Sequence, residues 1–166
     1  NEAVEISLGD NAHLKVRMID CVGYIVDSSL GYVEDNEPRM VTTPWFDHPI
    51  AFNEAAEIGT KKVICEHSTI GLVVTTDGTI TEIDRNDYVD AENRVINELK
   101  AINKPFIVLL NSVAPNSQSA QNLKAELEAK HGVPVVAVNC EELNATDIHN
   151  IIETVLFEFP LKEINI

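Results

Sequence analysis

Apolar and polar residues alternate near the start of the chain and so predict a pair of strands. Residues 4–8 alternate in the way that is typical of a half-buried edge strand. The turn signal Gly9-Asp10-Asn11 follows, and residues 14–19 predict a second strand. We expect the two strands to form a β-hairpin whose second strand leads directly into Asp20.

The rest of the chain alternates between strand and helix patterns. Apolar runs predict buried strands at 70–76, 105–110 and 133–138. Apolar residues at helical spacing predict helices at 52–64, 85–102, 117–131 and 144–159. Asn144 or Thr146 is expected to cap the last helix. Gly132 is expected to stop the helix at 117–131, and Pro160 the helix at 144–159. Short connections predict parallel strands with right-handed crossovers and helices on both faces.

Residues 24–50 are predicted to be irregular, because three prolines and Gly31 interrupt any regular pattern. A loop of this length inside a compact domain is uncommon and usually functional. It carries Trp45 and Phe46, which either anchor the loop on the core or form a contact surface.

Composition narrows the class of protein. The 166 residues, 45% of them apolar, suit one globular domain. The net charge of −15 argues against nonspecific binding to nucleic acid or to anionic lipid. The three cysteines have no metal-ligand spacing, and we expect buried free thiols in a reducing compartment.

Parallel sheets bind ligands beyond the carboxyl ends of their strands. The predicted strands end at four segments, which we expect at one edge: 20–24, 75–78, 111–116 and 139–142.

Asp20-x-x-Gly23 is the first candidate motif at that edge. In P-loop nucleotidases this aspartate reaches a magnesium ion, usually through water, and the glycine amide can face the γ-phosphate. Mg²⁺ prefers one or two carboxylates together with phosphate oxygens and waters. Asp20 is therefore the metal candidate, and the alternative is that it caps a turn or a helix.

Asparagines follow the next two strands. The amide of Asn111, beside Ser112, either hydrogen-bonds a base or an adjacent loop, or simply forms an Asx turn. Asn139-Cys140 has the same alternatives. The sequence contains no Gly-x-x-x-x-Gly-Lys-Ser/Thr loop, so this chain by itself is expected to bind nucleotide poorly.

The chain resembles the stage IV sporulation protein A family of endospore-forming bacteria. Long ordered strings carry the resemblance, at residues 17–24, 38–46, 54–60, 67–78, 104–112 and 134–140. The match extends from about residue 1 to about residue 145.

The resemblance implies an α/β fold, a three-layer, mostly parallel sheet of the P-loop GTPase-like (translation-factor) type. The first strand and the phosphate-binding loop would precede Asn1, so residues 1–160 would be a partial ATPase domain. Residues 161–166 would begin the connection to a following domain. The missing strand would lie between the strands that end at Asp20 and Thr76. We therefore expect these two strands to pair directly or to borrow a strand from another copy.

By position, the resemblance implies that Asp20 is catalytic and linked to magnesium and that Gly23 senses the γ-phosphate. Asn111, Ser112, Asn139 and Cys140 would be nucleotide-binding residues. Tyr24 stands where many GTPases have a water-orienting glutamine. Ala114 replaces the aspartate that reads guanine, which agrees with an adenine nucleotide.

The resemblance also implies a function for the full-length protein. It would hydrolyse ATP with Mg²⁺, polymerise with itself and form the basement layer of the spore coat. This layer would lie on the outer forespore surface, in the mother-cell cytoplasm. A small membrane-anchoring peptide and coat proteins would bind regions mostly outside this chain, and no nucleic acid is expected.

Besides the ATPase function, in which this chain would be inactive by itself, two other functions remain open. One is a purely structural assembly module with little nucleotide involvement. A flavodoxin-like receiver or flavin domain also fits the strand-helix alternation, but it needs an acidic cluster or phosphate loop at a first strand.

Overall fold

The computed structural model describes residues 2–8, 12–26, 28–29, 31, 33–34 and 37–158. The predicted turn Gly9-Asp10-Asn11 and the helix stop Pro160 lie outside these residues. The strands are β1 (Val4–Leu8), β2 (Ala12–Val16), β3 (Val33–Glu34), β4 (Glu37–Pro38), β5 (Met40–Val41), β6 (Ile50–Ala51), β7 (Gly71–Thr76), β8 (Phe106–Asn111) and β9 (Val135–Val138). The α-helices are α1 (Phe52–Lys62), α2 (Val89–Ala101), α3 (Gln118–His131) and α4 (Ala145–Phe157).

The three apolar runs form a parallel sheet in the order β7-β8-β9. The central strand β8 is buried from Phe106 to Leu110 because helices cover both of its faces. Ile96 and Leu99 of α2 and Leu127 of α3 pack on one face. Ile151 and Val155 of α4 pack on the other. The predicted parallel strands and two-sided helix cover are therefore confirmed.

The helix ends follow their sequence signals. Gly132 ends α3 in the left-handed conformation, with φ 63°. Asn144, not Thr146, caps α4, and its side chain accepts from the backbone N–H groups of Thr146 and Asp147. Two predicted helices have different ends: a π-helical turn, Val63–His67, extends α1, and a 3₁₀ turn, Arg85–Tyr88, precedes α2.

The predicted hairpin is confirmed, but its second strand ends earlier than expected. β2 stops at Val16, which pairs with Val4, the first residue of β1. Residues 17–19 therefore have no strand opposite them, and a strand needs a paired neighbour more than it needs β-forming residues. The expectation that Asp20 closes a sheet strand is wrong: Asp20 is an exposed residue in an irregular segment.

The hairpin does not join the parallel sheet. Within the described residues, β7 pairs with β8 alone, so direct pairing, one of the two expected alternatives, is wrong. The borrowed strand remains a prediction. Leu72 and Val74 share one face of β7 and are 39% and 59% exposed.

The segment 24–50 contains two short ladders, β3-β4 and β5-β6, rather than being wholly irregular. Trp45 lies against α1, where a Cβ added to Gly59 would come within 3.1 Å of the indole ring. The same indole lies 5.9 Å from the Lys62 Nζ. Trp45 therefore anchors the loop, although it is 42% exposed.

None of the helices in the described part of the chain is both long enough and apolar enough to cross a membrane.

Candidate functional site

Three of the four predicted segments meet at the carboxyl ends of β7, β8 and β9. The backbone N–H of Asp77 points to the Asn111 carbonyl oxygen at 3.4 Å. The Ser112 N–H donates to the Val138 carbonyl oxygen at 2.9 Å. These contacts tie the strand ends into one edge, as the parallel topology requires.

Asp77 is the acidic centre of this edge. Its Oδ1 accepts hydrogen bonds from the Thr79 backbone N–H at 3.0 Å and from the Thr79 hydroxyl at 2.6 Å. Burial raises the pKa of the carboxyl, but the hydrogen bonds from Ser112 and Thr79 outweigh it, so the pKa lies below its ordinary value. The sequence placed Asp77 at the edge but did not single it out, although an aspartate after a buried strand is a usable signal.

Ser112 is used within the protein. The side chain is fully buried, bonds the Asp77 carboxylate and accepts from the Ala114 N–H at 3.1 Å. Its hydroxyl organises the edge, and the nucleotide contact of Ser112 stays a prediction.

The side chains of the two asparagines have different hydrogen-bond partners. Asn111 Oδ1 accepts from the Cys140 N–H at 2.9 Å, so this amide holds the adjacent loop. What Asn111 offers a ligand is therefore its Nδ2 donor. Asn139 Oδ1 accepts from the Glu141 N–H at 3.1 Å, which is the Asx-turn alternative.

All three cysteines are free thiols, but the expectation that they are buried is wrong for two of them. Cys21 and Cys65 are exposed, because Cys21 lies in the irregular segment and Cys65 in the π-helical turn. Cys140 is partly buried, and burial raises the pKa of its thiol. Burial therefore favours the protonated form of the Cys140 thiol, beside Asn111.

A cavity of about 290 Å³ lies beyond the ends of β8 and β9. Its wall is mostly polar and includes Asn116, Asn139, Glu142 and Asp147. Its size is close to the lower limit for small-molecule sites, about 300 Å³. A larger cavity, about 410 Å³, lies at the start of β8. Lysines line it, but their ammonium groups donate to backbone carbonyls, so the polar edge is the better candidate.

The side-chain contacts of the segment 20–24 are with α1 and α2 rather than with the strand ends. The Gly23 N–H donates to the Thr60 hydroxyl oxygen at 3.0 Å. The Tyr24 hydroxyl donates to Glu98, and the Arg94 guanidinium lies 4.1 Å from the centre of the Tyr24 ring. In this arrangement the Gly23 amide is already engaged.

A buried polar cluster, not predicted from the sequence, supports the end of β7. The Thr75 hydroxyl donates to Glu92 at 2.7 Å, and Arg85 donates to the same carboxylate at 2.9 Å. The ring of His131 lies 3.9 Å from it. The signal was present, because Glu92 shares a helix face with Ile96 and Leu99, at i, i+4 and i+7.

The described residues contain no group of three or more His, Cys, Asp or Glu placed to hold a metal. A magnesium ion carried by a nucleotide needs only one or two carboxylates, since phosphate oxygens and waters complete its shell. A single exposed carboxylate such as Asp20 fits that requirement.

The comparison with protein families and curated proteins gives consistent matches. The family model for stage IV sporulation protein A, ATPase domain, matches residues 1–160. Proteins named stage IV sporulation protein A are 50% identical over 166 residues in Bacillus anthracis and 47% over 166 in Bacillus subtilis (strain 168). The one from Clostridioides difficile (strain 630) is 53% identical over 165 residues.

These alignments cover 99–100% of the chain but only 34% of each relative. The chain thus spans about a third of the length of the curated relatives it matches. No solved structure matches it.

Proposed function

The chain belongs to the stage IV sporulation protein A ATPase-domain family, and on that premise we propose that it is part of an ATP-hydrolysing, self-assembling protein of sporulation. The observation that carries the proposal is the polar edge at the ends of β7, β8 and β9. In a parallel sheet this is where ligands bind. Here it combines the cavity beside Asn139 with the Nδ2 donor of Asn111.

The proposed ligand is ATP with Mg²⁺. Asp20 would hold the magnesium ion through water, and the Gly23 amide would approach the γ-phosphate. Asn111 Nδ2 would donate to a ring nitrogen of the base, while Asn139 and Cys140 flank it and Ser112 keeps the edge in shape. The phosphates also need a Gly-Lys-Ser/Thr loop, which this sequence lacks, so another segment of the polypeptide has to supply it.

For the full-length protein we propose polymerisation into the basement layer of the spore coat. This layer would lie on the forespore surface, in the mother-cell cytoplasm. A membrane-anchoring peptide and coat proteins would be partners, mostly through other regions. The names of the relatives support a role in sporulation, and Phe46, which is 37% exposed next to the anchoring Trp45, suits a contact surface.

A purely structural assembly module is the second candidate. It is favoured by the apolar face of the hairpin, where Val4 pairs with Val16 and Ile6 with Leu14. None of these four side chains is fully buried. A face of this kind suits assembly, whether or not a nucleotide binds.

ATP turnover by the full-length polypeptide separates the two candidates. We expect steady turnover, reduced about 100-fold by Asp20→Ala, because the magnesium-bound water loses the carboxylate that positions it. Asp47→Ala is the matched control, since the Asp47 side chain is almost fully exposed on the loop. Unchanged turnover in Asp20→Ala would remove Asp20 from the mechanism. No turnover by the unmodified polypeptide would favour the structural module.

A further inference from the structure

Residues 20–26, here called the strap, lie on α1 and α2 without regular secondary structure. Asp20, Cys21 and Val22 are exposed, and the strap becomes partly buried only from Gly23 onwards. The contacts of Gly23 and Tyr24 therefore hold the strap in place. A second contact follows in the chain, where the Ser28 hydroxyl donates to the Asp87 carboxylate.

The receptor for Tyr24 is built by both helices. Arg94 of α2 donates two hydrogen bonds to Glu57 of α1, at 2.9 and 2.7 Å. The same guanidinium stacks on the Tyr24 ring, while Glu98, one turn further along α2, accepts from the Tyr24 hydroxyl. The Arg94–Glu57 pair joins the two helices without Tyr24, so we expect the receptor to persist when the strap leaves.

The partner of the Gly23 amide is the side chain of Thr60, which is only 1% exposed. Gly23 has φ 81°, a left-handed conformation that a residue with a Cβ adopts at a cost. A backbone amide that faces a buried hydroxyl cannot donate a second good hydrogen bond to a ligand at the same time. While Tyr24 is in its receptor, the Gly23 amide is therefore not available as a hydrogen-bond donor to a ligand.

The connections that hold the strap are weak. The strap is attached through the Gly23–Thr60 and Tyr24–Glu98 hydrogen bonds and through the contact of the Tyr24 ring with Arg94. A single hydrogen bond contributes little net free energy, because it replaces a hydrogen bond to water. Segments with few buried contacts open locally without unfolding the domain. Release of the strap is thus easier than disruption of the sheet.

We propose that Tyr24 is a positioning residue that latches the strap onto α1 and α2, and that opening this latch frees the Gly23 amide for the nucleotide. The latch itself follows from the contacts of Tyr24 and Gly23. Its coupling to nucleotide rests on the proposed function. Arg94 and Glu57 join α2 to α1 beside the Tyr24 ring. The relative position of these two helices then controls whether the Gly23 amide can donate to a nucleotide.

Hydrogen exchange in the full-length polypeptide tests the latch without any nucleotide. Tyr24→Phe keeps the ring on Arg94 but removes the hydroxyl that Glu98 accepts, and we expect the Gly23 amide to exchange roughly tenfold faster. Tyr88→Phe is the matched control, because the hydroxyl that it removes is hydrogen-bonded to Thr81 and not to a strap residue. Exchange at Gly23 that is unchanged in Tyr24→Phe, or equally fast in Tyr88→Phe, would overturn the latch.

Nucleotide binding tests the coupling, with Thr60→Val and Thr60→Ser as a matched pair. Valine keeps the shape of threonine but cannot accept from Gly23, whereas serine can. We expect Thr60→Val to bind ATP several-fold more tightly while ADP binding stays unchanged, and Thr60→Ser to behave like the unmodified protein. Equal changes for ATP and ADP would overturn the coupling. If the unmodified protein binds no ATP, the proposed function and the coupling both fail, and the exchange experiment still decides the latch.

Discussion

Single polar side chains in the interior hold the candidate site in shape. Ser112 is buried between the Asp77 carboxylate and the Ala114 amide, and Glu92 between Thr75 and Arg85. A buried polar group costs free energy unless it is hydrogen-bonded, and these groups are. Each therefore fixes a strand end or loop next to the edge.

Removal of the Ser112 hydroxyl should destabilise the domain. In Ser112→Ala the Asp77 carboxylate and the Ala114 amide lose a partner, and we expect the free energy of unfolding to fall by about 1–3 kcal/mol. Urea denaturation at pH 7 measures it. The control Ser119→Ala, at an exposed position of α3, should stay within about 0.5 kcal/mol. A similar loss in both variants would contradict the role of Ser112.

The same variant has an expected pH dependence. The pKa of Asp77 is depressed in the folded protein, so its stabilising contribution is present above the unfolded value, about 3.9, and is lost as pH falls through the folded pKa. Ser112→Ala removes one of the bonds that depress this pKa. The stability difference between the two proteins should therefore be constant above about pH 5 and shrink below about pH 4. A difference that grows in acid would contradict this sign.

His131 predicts a second, separate pH effect. Burial lowers the pKa of its ring, and the positive charges of Lys130, Lys100 and Arg85 lower it further. The negative charge of Glu92 raises the pKa, but by less than these effects lower it. The folded protein thus favours neutral His131, and stability is lost as pH falls below the unfolded value, about 6.5.

We expect His131→Gln to reduce the loss of stability between about pH 7 and pH 5, because the group that takes up the proton on unfolding is gone. Urea denaturation at several pH values measures the slope. His67→Gln, at an exposed position, is the control and should leave the slope unchanged. An unaltered slope in His131→Gln would show that other groups control acid stability.

At the scale of elements, the ends of the helices are determined by local chemistry. Asn144 Oδ1 accepts from the Thr146 N–H at 2.8 Å and the Asp147 N–H at 3.1 Å. Asp147 in turn accepts from the Asn144 N–H at 3.1 Å, which completes a capping box. The sequence allowed Asn144 or Thr146 as the cap. The structure identifies Asn144, because the backbone is extended at Asn144 and helical from Ala145 onwards.

Asn144→Ala should therefore cost about 0.5–2 kcal/mol, whereas Thr146→Ala should cost less than about 0.5 kcal/mol. Thermal unfolding measures both, with an expected shift in Tm of about 2–4 °C per kcal/mol for a chain of this size. The reverse order would identify Thr146 as the cap in solution.

At the scale of the whole molecule, the hairpin and the parallel sheet are separate. Both apolar clusters of the described residues belong to the sheet and its helices. The hairpin presents the pairs Val4–Val16 and Ile6–Leu14 on one face and Glu5–Lys15 on the other. A two-stranded hairpin by itself is at best marginally stable in water.

We expect amide exchange to show this separation in the 166-residue chain. Amides of β1 and β2 should exchange at least about 100-fold faster than those of β8, because the hairpin opens without unfolding the sheet. Mass spectrometry of peptides covering 4–16 and 106–111 measures the difference. Equal protection would mean that something covers the apolar face of the hairpin, such as a second copy of the chain, and a concentration series would then distinguish the copy from an internal contact.

The sequence predicted the parallel sheet well because its signals are local. The continuous apolar run ending at Leu110 and the Gly132 stop each specify one element without reference to the rest of the chain. The site was predicted only in part. The segments after β7, β8 and β9 meet as expected, but Asp20 does not end a strand. The buried Glu92 was missed because helix periodicity marks its buried face but not its partners Thr75 and His131, which lie on other elements.

By itself the sequence determined the hairpin, the three parallel strands, the four α-helices and the residue types at the strand ends, since propensity, periodicity and capping act within a few residues. Its long ordered strings, rather than its periodicity, indicated the family. Only the tertiary structure decided which hydrogen-bonding groups are already engaged. Asn111 Oδ1 is committed to Cys140, and the Gly23 amide to Thr60. Those pairings depend on where separate elements pack, because a hydrogen bond needs its two partners within about 3 Å.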